Sequence, residues 1–111
     1  MQPKLFERQS ETVAIEDVLL YALGDFQSRG KILANRQLAF DRLRGAFLRA
    51  FLKFGVPEMP DDQIVAGLRS LGAKIVEVPR FVAKHPFRIT VPGNMAKNAA
   101  SHYLNERHRQ A

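Results

Sequence analysis

Between Phe40 and Phe54, apolar residues recur every three or four positions. On a helical wheel Phe40, Leu43, Phe47, Phe51 and Phe54 gather within an arc of about 80°, flanked by Ala46, Ala50, Leu48 and Leu52, with Arg42, Arg49 and Lys53 opposite. This spacing predicts the longest helix of the chain, from near Asn35 to Gly55, where "FGVPEMP" stops it. The phenylalanines are expected in the core and the cations on its solvated back, because a domain this small needs those rings inside. The alternative is a basic, Phe-rich helix lying on an anionic membrane. Arg44 falls inside the apolar arc, so it has to snorkel out or meet a carboxylate, and the acids of the preceding helix are the expected partners.

The same patterning predicts three further helices. "SETVAIEDVLLYALGDFQSRG" has Ser10 or Thr12 as N-cap, acids early and Gly30 as a stop. Its polar arc holds Glu16, Asp17, Gln27 and Ser28 but also Val13 and Leu20, a mixed face that offers a surface to a protein partner or a second copy. A short helix after Pro60 has Asp61 or Asp62 as cap, Ile64, Leu68 and Leu71 on one face, and ends at Gly72. Asn94 caps a final helix whose Met95, Ala96, Ala99, Ala100 and Tyr103 share one side, small residues that permit close packing. Between these helices, "KIVEV" and "FRITV" are closed by Pro79 and Pro92 and predict two strands. Alternation places Phe87, Ile89 and Val91 on one strand face and Arg88 and Thr90 on the other, so Arg88 is exposed if the phenylalanine face is buried.

The expected fold class is therefore α+β, a single domain over residues 1–111: three helices, then a two-stranded antiparallel hairpin and a C-terminal helix. That order resembles a winged helix, and "GLRSLGAKIVEV" is similar to its turn from third helix into first wing strand. Three features set the chain apart from that plan. The second helix is about twice as long as it requires, and the link from Gly55 to Asp61 exceeds a tight turn. The third helix opens with Asp61 and Asp62, which repel phosphates, and its outer Gln63, Ala66, Arg69 and Ser70 supply one useful base reader at most.

Composition narrows the setting. With 46% hydrophobic and 25% charged residues, the 111-residue chain has the make-up of a folded protein. The absence of cysteine excludes disulfides, thiolate nucleophiles and cysteine-ligated metals, and makes the reducing cytoplasm the expected location. The polar N-terminus has no signal-peptide core, and the longest apolar run, "VLLYAL", is six residues, so no membrane span is expected. Seventeen basic against eleven acidic residues leave a net charge of +6, which favours anionic partners such as DNA or RNA. The basicity lies in residues 31–55 and from Ala73 onward, while residues 11–30 and 56–72 are net acidic.

Catalytic patterns are missing, and a non-enzymatic binding role is the expectation. His102 and His108 are six apart, on opposite sides of a helix, and His85 lies in the hairpin loop, so no i, i+4 metal pair forms and no metal or other cofactor is expected. Ser101 points about 100° away from its neighbour His102 on a helix, which leaves it without a base. The paired acids Glu16/Asp17 and Asp61/Asp62 stand at helix starts, where the dipole accounts for them.

What remains is the stretch "VPRFVAKHPFRITVP", Val78 to Pro92. Arg80, Lys84, His85 and Arg88 surround Phe81, a basic hairpin with an apolar finger that suits phosphate contacts and base stacking. A hairpin whose Phe81 folds back on the core, with charges that discourage edge pairing, is the competing reading. The leading functional expectation is a nucleic-acid-binding module using these five residues; the other is a protein-interaction or assembly subunit using the first helix.

Overall fold

The computed structural model describes residues 14–79, 81 and 86–110. They form α1 (Ile15–Ser28), β1 (Gln37–Ala39), α2 (Phe40–Phe54), α3 (Asp61–Leu71), β2 (Lys74–Glu77), β3 (Phe87–Thr90) and α4 (Gly93–Gln110). The class is α+β, with four helices and a three-stranded antiparallel sheet in the order β1-β3-β2 among the described residues. The expected caps Ser10 and Thr12, and Val13 with them, lie outside the described residues.

The third strand corrects both the two-stranded hairpin and the expected order of elements. The second helix starts at Phe40 rather than near Asn35, and Gln37–Ala39 form β1 instead. Asn35 takes a left-handed φ of 59°, which asparagine tolerates better than most residues and which breaks a helix. Its N–H donates to the Val91 carbonyl at 2.7 Å, leading the chain into the sheet. β1 then runs antiparallel to β3, with Gln37 opposite Thr90, Leu38 opposite Ile89 and Ala39 opposite Arg88. Three residues are too short a run for alternation to register, and Leu38 suits a helix face as well as a sheet face. α2 is left with 15 residues, and the left-handed Gly55 and Gly72 close α2 and α3.

Opposed residues in a sheet share a face, so Leu38, Ile89 and Ile75 make one row turned towards the core, where Leu38 and Ile89 are buried. Against this face lies α2, whose Phe40, Leu43, Phe47 and Phe51 are buried as the wheel requires. Phe40 stacks on Phe47 at 5.8 Å between centroids. Phe47 is 1% exposed and so is unavailable to a membrane surface. No described helix is long and apolar enough to cross a membrane.

α1 is the central helix. Nine consecutive residues, Val18 to Phe26, are buried, whereas a helix packed on one side buries only a stripe. α4, α2 and α3 all pack against it. Leu20, expected on an outward mixed face, is therefore covered, while Glu16, Asp17 and Ser28 of that face stay exposed. The close approach of α4 depends on Gly24: a Cβ there would collide with the Tyr103 Cβ and the Ala99 carbonyl oxygen. Gln27 Nε2 donates to the Ala96 carbonyl at 2.9 Å across the same seam.

Candidate nucleic-acid interface

Of the five hairpin residues, the structure describes Phe81 and Arg88; Arg80, Lys84 and His85 lie outside the described residues. The hairpin closes where the Val78 N–H donates to the Pro86 carbonyl at 2.7 Å. Beyond that bond, Phe81 is 91% exposed, so its ring does not fold back on the core. Arg88 belongs to the middle strand, between Ala39 on one side and Val76 on the other. It is half-buried, a correction to the exposed position that strand alternation predicts. β1 is the reason: a middle strand has a neighbour on each side, where a two-stranded hairpin leaves one side open.

The pleat puts a second set of residues on the sheet face turned away from the core. One row is Gln37, Thr90 and Lys74, and the next is Ala39, Arg88 and Val76. None of the six is buried, two are cations, and none is a carboxylate. The sequence pattern could not group them, because each row is set by the register of three strands and Gln37 and Ala39 belong to the unanticipated one.

Ion pairs decide which cations remain available around this sheet. Arg44 donates from Nη1 and Nη2 to the two Asp61 carboxylate oxygens at 2.8 and 2.5 Å, tying α2 to the start of α3. The hydrogen bond to Asp61 holds the Arg44 pKa above its ordinary value, with burial acting in the opposite direction. The expected partner on helix one is thus corrected to Asp61. The α1 acid facing α2 is Asp25, and it is already occupied: Arg49 donates to it from Nε at 2.8 Å and from Nη2 at 2.5 Å, and Arg29 from Nε and Nη2 at 3.3 Å. Asp25 is buried, so Arg49 is not a plain solvated charge of the outer stripe, and this too departs from expectation. Lys53, from the same stripe, sits over the Tyr21 and Phe54 rings at 5.3 and 5.5 Å. Arg42, Arg69 and Lys74 are exposed, and the outer arc of α3 presents Asp62, Gln63, Ala66, Arg69 and Ser70.

A separate cleft of about 420 Å³ opens between the start of α1, the end of α2 and α4, lined by Asp17, Phe54, His102, Asn105, Glu106 and Arg109. His102 Nε2 meets Asp17 Oδ1 at 3.2 Å, while Nδ1 is buried without a hydrogen-bond partner among the described residues. The imidazole thus joins α4 to α1 through one nitrogen and encloses the other. Among the described residues no three His, Asp or Glu side chains come together as metal ligands. Compared with known proteins, the chain matches no family model, no curated protein and no solved structure.

Proposed function

We propose that the protein is a small non-enzymatic nucleic-acid-binding module that works in the cytoplasm and engages DNA or RNA through its β2–β3 hairpin. In this reading Arg80, Lys84, His85 and Arg88 meet phosphates and Phe81 stacks on a base. The observation that carries it is Phe81: a phenylalanine 91% exposed, in a stretch whose sequence neighbours are cations, has no role in the core. The net charge of +6 supports the same partner.

The element order adds support. With β1 between α1 and α2, the described residues run helix, strand, helix, helix, strand, strand, helix, and in this reading the first six elements follow the order of a winged helix with β2–β3 as its wing. The 15-residue α2 removes the objection of an overlong second helix, and Arg44 neutralises one of the two acids that open α3. The six-residue link from Gly55 to Pro60 and the exposed Asp62 remain departures from that plan.

A second reading, a protein-interaction or assembly subunit, draws on two leucines rather than on helix one: Leu52 of α2 and Leu104 of α4 are exposed. Retention on immobilised DNA and RNA across a salt series tests the first reading, since each lost phosphate contact lowers the salt slope by about one unit. Triple charge reversal of Arg80, Lys84 and Arg88 is expected to abolish retention. Reversal of Arg42 with Lys53, which removes the same kind of charge from α2, is expected to weaken it far less. Equal losses would mean that net charge alone drives adhesion, and a concentration-dependent mass without retention would favour the assembly reading.

A further inference from the structure

Resting on the nucleic-acid reading, we infer that the partner is a single strand, which lies across the open face of the sheet and stacks a base on Phe81. The face is built for a flexible polyanion. Lys74 and Arg88 supply positive charge, Gln37 and Thr90 supply hydrogen-bonding groups, Ala39 and Val76 supply apolar contact, and no carboxylate interrupts the two rows. A strand whose bases are unpaired can meet such a face with phosphates and bases together.

Phe81 decides between single and double strand. An aromatic ring stacks on a base only where the base face is open, and in a duplex both faces are covered by neighbouring pairs. A duplex would instead need a helix whose outer side chains reach base edges in the major groove. In the winged-helix reading α3 would be that helix, but its outer arc opens with the exposed Asp62, which would stand against phosphate, and the nearby Arg44 is engaged by Asp61.

The test uses the full chain and a labelled oligothymidylate of about 15 nucleotides, alone and annealed to its complement, read by fluorescence anisotropy at several salt concentrations. The single strand is expected to bind at least about tenfold more tightly than the duplex. Phe81→Ala is expected to weaken single-strand binding by about fivefold to a hundredfold, with Phe81→Trp restoring it. Lys74→Ala is expected to lower the salt slope by about 0.7. Because both positions are exposed, neither change threatens the fold. The pair Gln63→Ala and Arg69→Ala is expected to leave single-strand binding unchanged. A preference for duplex that this α3 pair abolishes would overturn the inference and move recognition to α3. Equal binding of both forms, or full single-strand binding by Phe81→Ala, would overturn it while leaving nucleic-acid binding intact. No binding of either form at low salt would overturn both.

Discussion

Arg44 on α2 grips Asp61, the first residue of α3, through two parallel hydrogen bonds of 2.8 and 2.5 Å, with its guanidinium 5.3 Å from the centre of the Phe40 ring. The pair fixes the angle at which α3 leaves the link from Gly55. Both side chains keep more than a third of their surface exposed, so solvent screens the attraction. Breaking it by Asp61→Asn is expected to cost about 0.5–1 kcal/mol in urea unfolding. A double-mutant cycle with Arg44→Met is expected to show coupling of the same size; additive effects would mean that the pair is incidental.

Asp25 behaves differently, because its side chain is 8% exposed and its carboxylate is shared by two arginines. Arg49 holds it more closely than the i, i+4 partner Arg29 does. Arg49→Met therefore leaves a buried carboxylate with its weaker partner and is expected to cost about 2 kcal/mol, whereas Arg29→Met is expected to cost under about 1 kcal/mol. Chemical denaturation of the two variants side by side checks the ranking.

Two helical glycines are expected to respond in opposite directions to alanine. At Gly24 the added methyl meets α4 at Tyr103 and Ala99, one contact being backbone that cannot turn aside. Gly24→Ala is expected to lose about 1–3 kcal/mol from overpacking, more than the helix propensity it gains. At Gly45 the nearest heavy atom is the far end of the Arg49 side chain, 3.3 Å away, and Gly45→Ala is expected to be neutral or stabilising by up to about 1 kcal/mol. Thermal melts of both proteins measure the contrast.

The chain's two tyrosines, with rings 5.0 Å apart, are expected to ionise in separate steps. The neighbouring Ser28 hydroxyl, aided by Arg107, which donates to the phenol at 3.0 Å, holds Tyr103 below its ordinary value of 10.0, while burial, reinforced by Tyr103 and Asp25, holds Tyr21 above it. Tyr103 thus contributes stability that is present above pH 10 and lost as pH falls through its lowered pKa. Tyr21 contributes stability that is present below pH 10 and lost as pH rises through its raised pKa. Ultraviolet titration is expected to lose its earlier phase in Tyr103→Phe and its later phase in Tyr21→Phe. Among alkaline melts, Tyr21→Phe is expected to gain relative stability and Tyr103→Phe to lose it.

Local pattern alone was enough to place the buried face of α2. Phe40, Leu43, Phe47 and Phe51 repeat at helical spacing, and burying one stripe of a helix needs no knowledge of its neighbours. The same holds for Gly55 and Gly72 as stops, for the strands around Ile75 and Ile89, and for the small residues of α4, since propensity and periodicity act within a few residues. Phe81 was also legible as an apolar residue among cations, although its exposure was not, because a hairpin finger can point either way.

Tertiary structure decided the rest, and in each case the deciding contact spans many residues of chain. β1 exists because Val91 and β3 capture residues 35–39, about 50 positions distant in sequence, and a three-residue strand has no pattern of its own. That capture made Arg88 a half-buried middle-strand residue and assembled the open face with Lys74 and Gln37. The middle of α1, Val18 to Phe26, is buried on all sides because three helices pack against it, a number that its own sequence does not encode. Charge partners were chosen the same way: Asp25 took Arg49 from 24 residues away and left Arg44 to Asp61, since an ion pair depends on which charged ends the packed helices bring within reach.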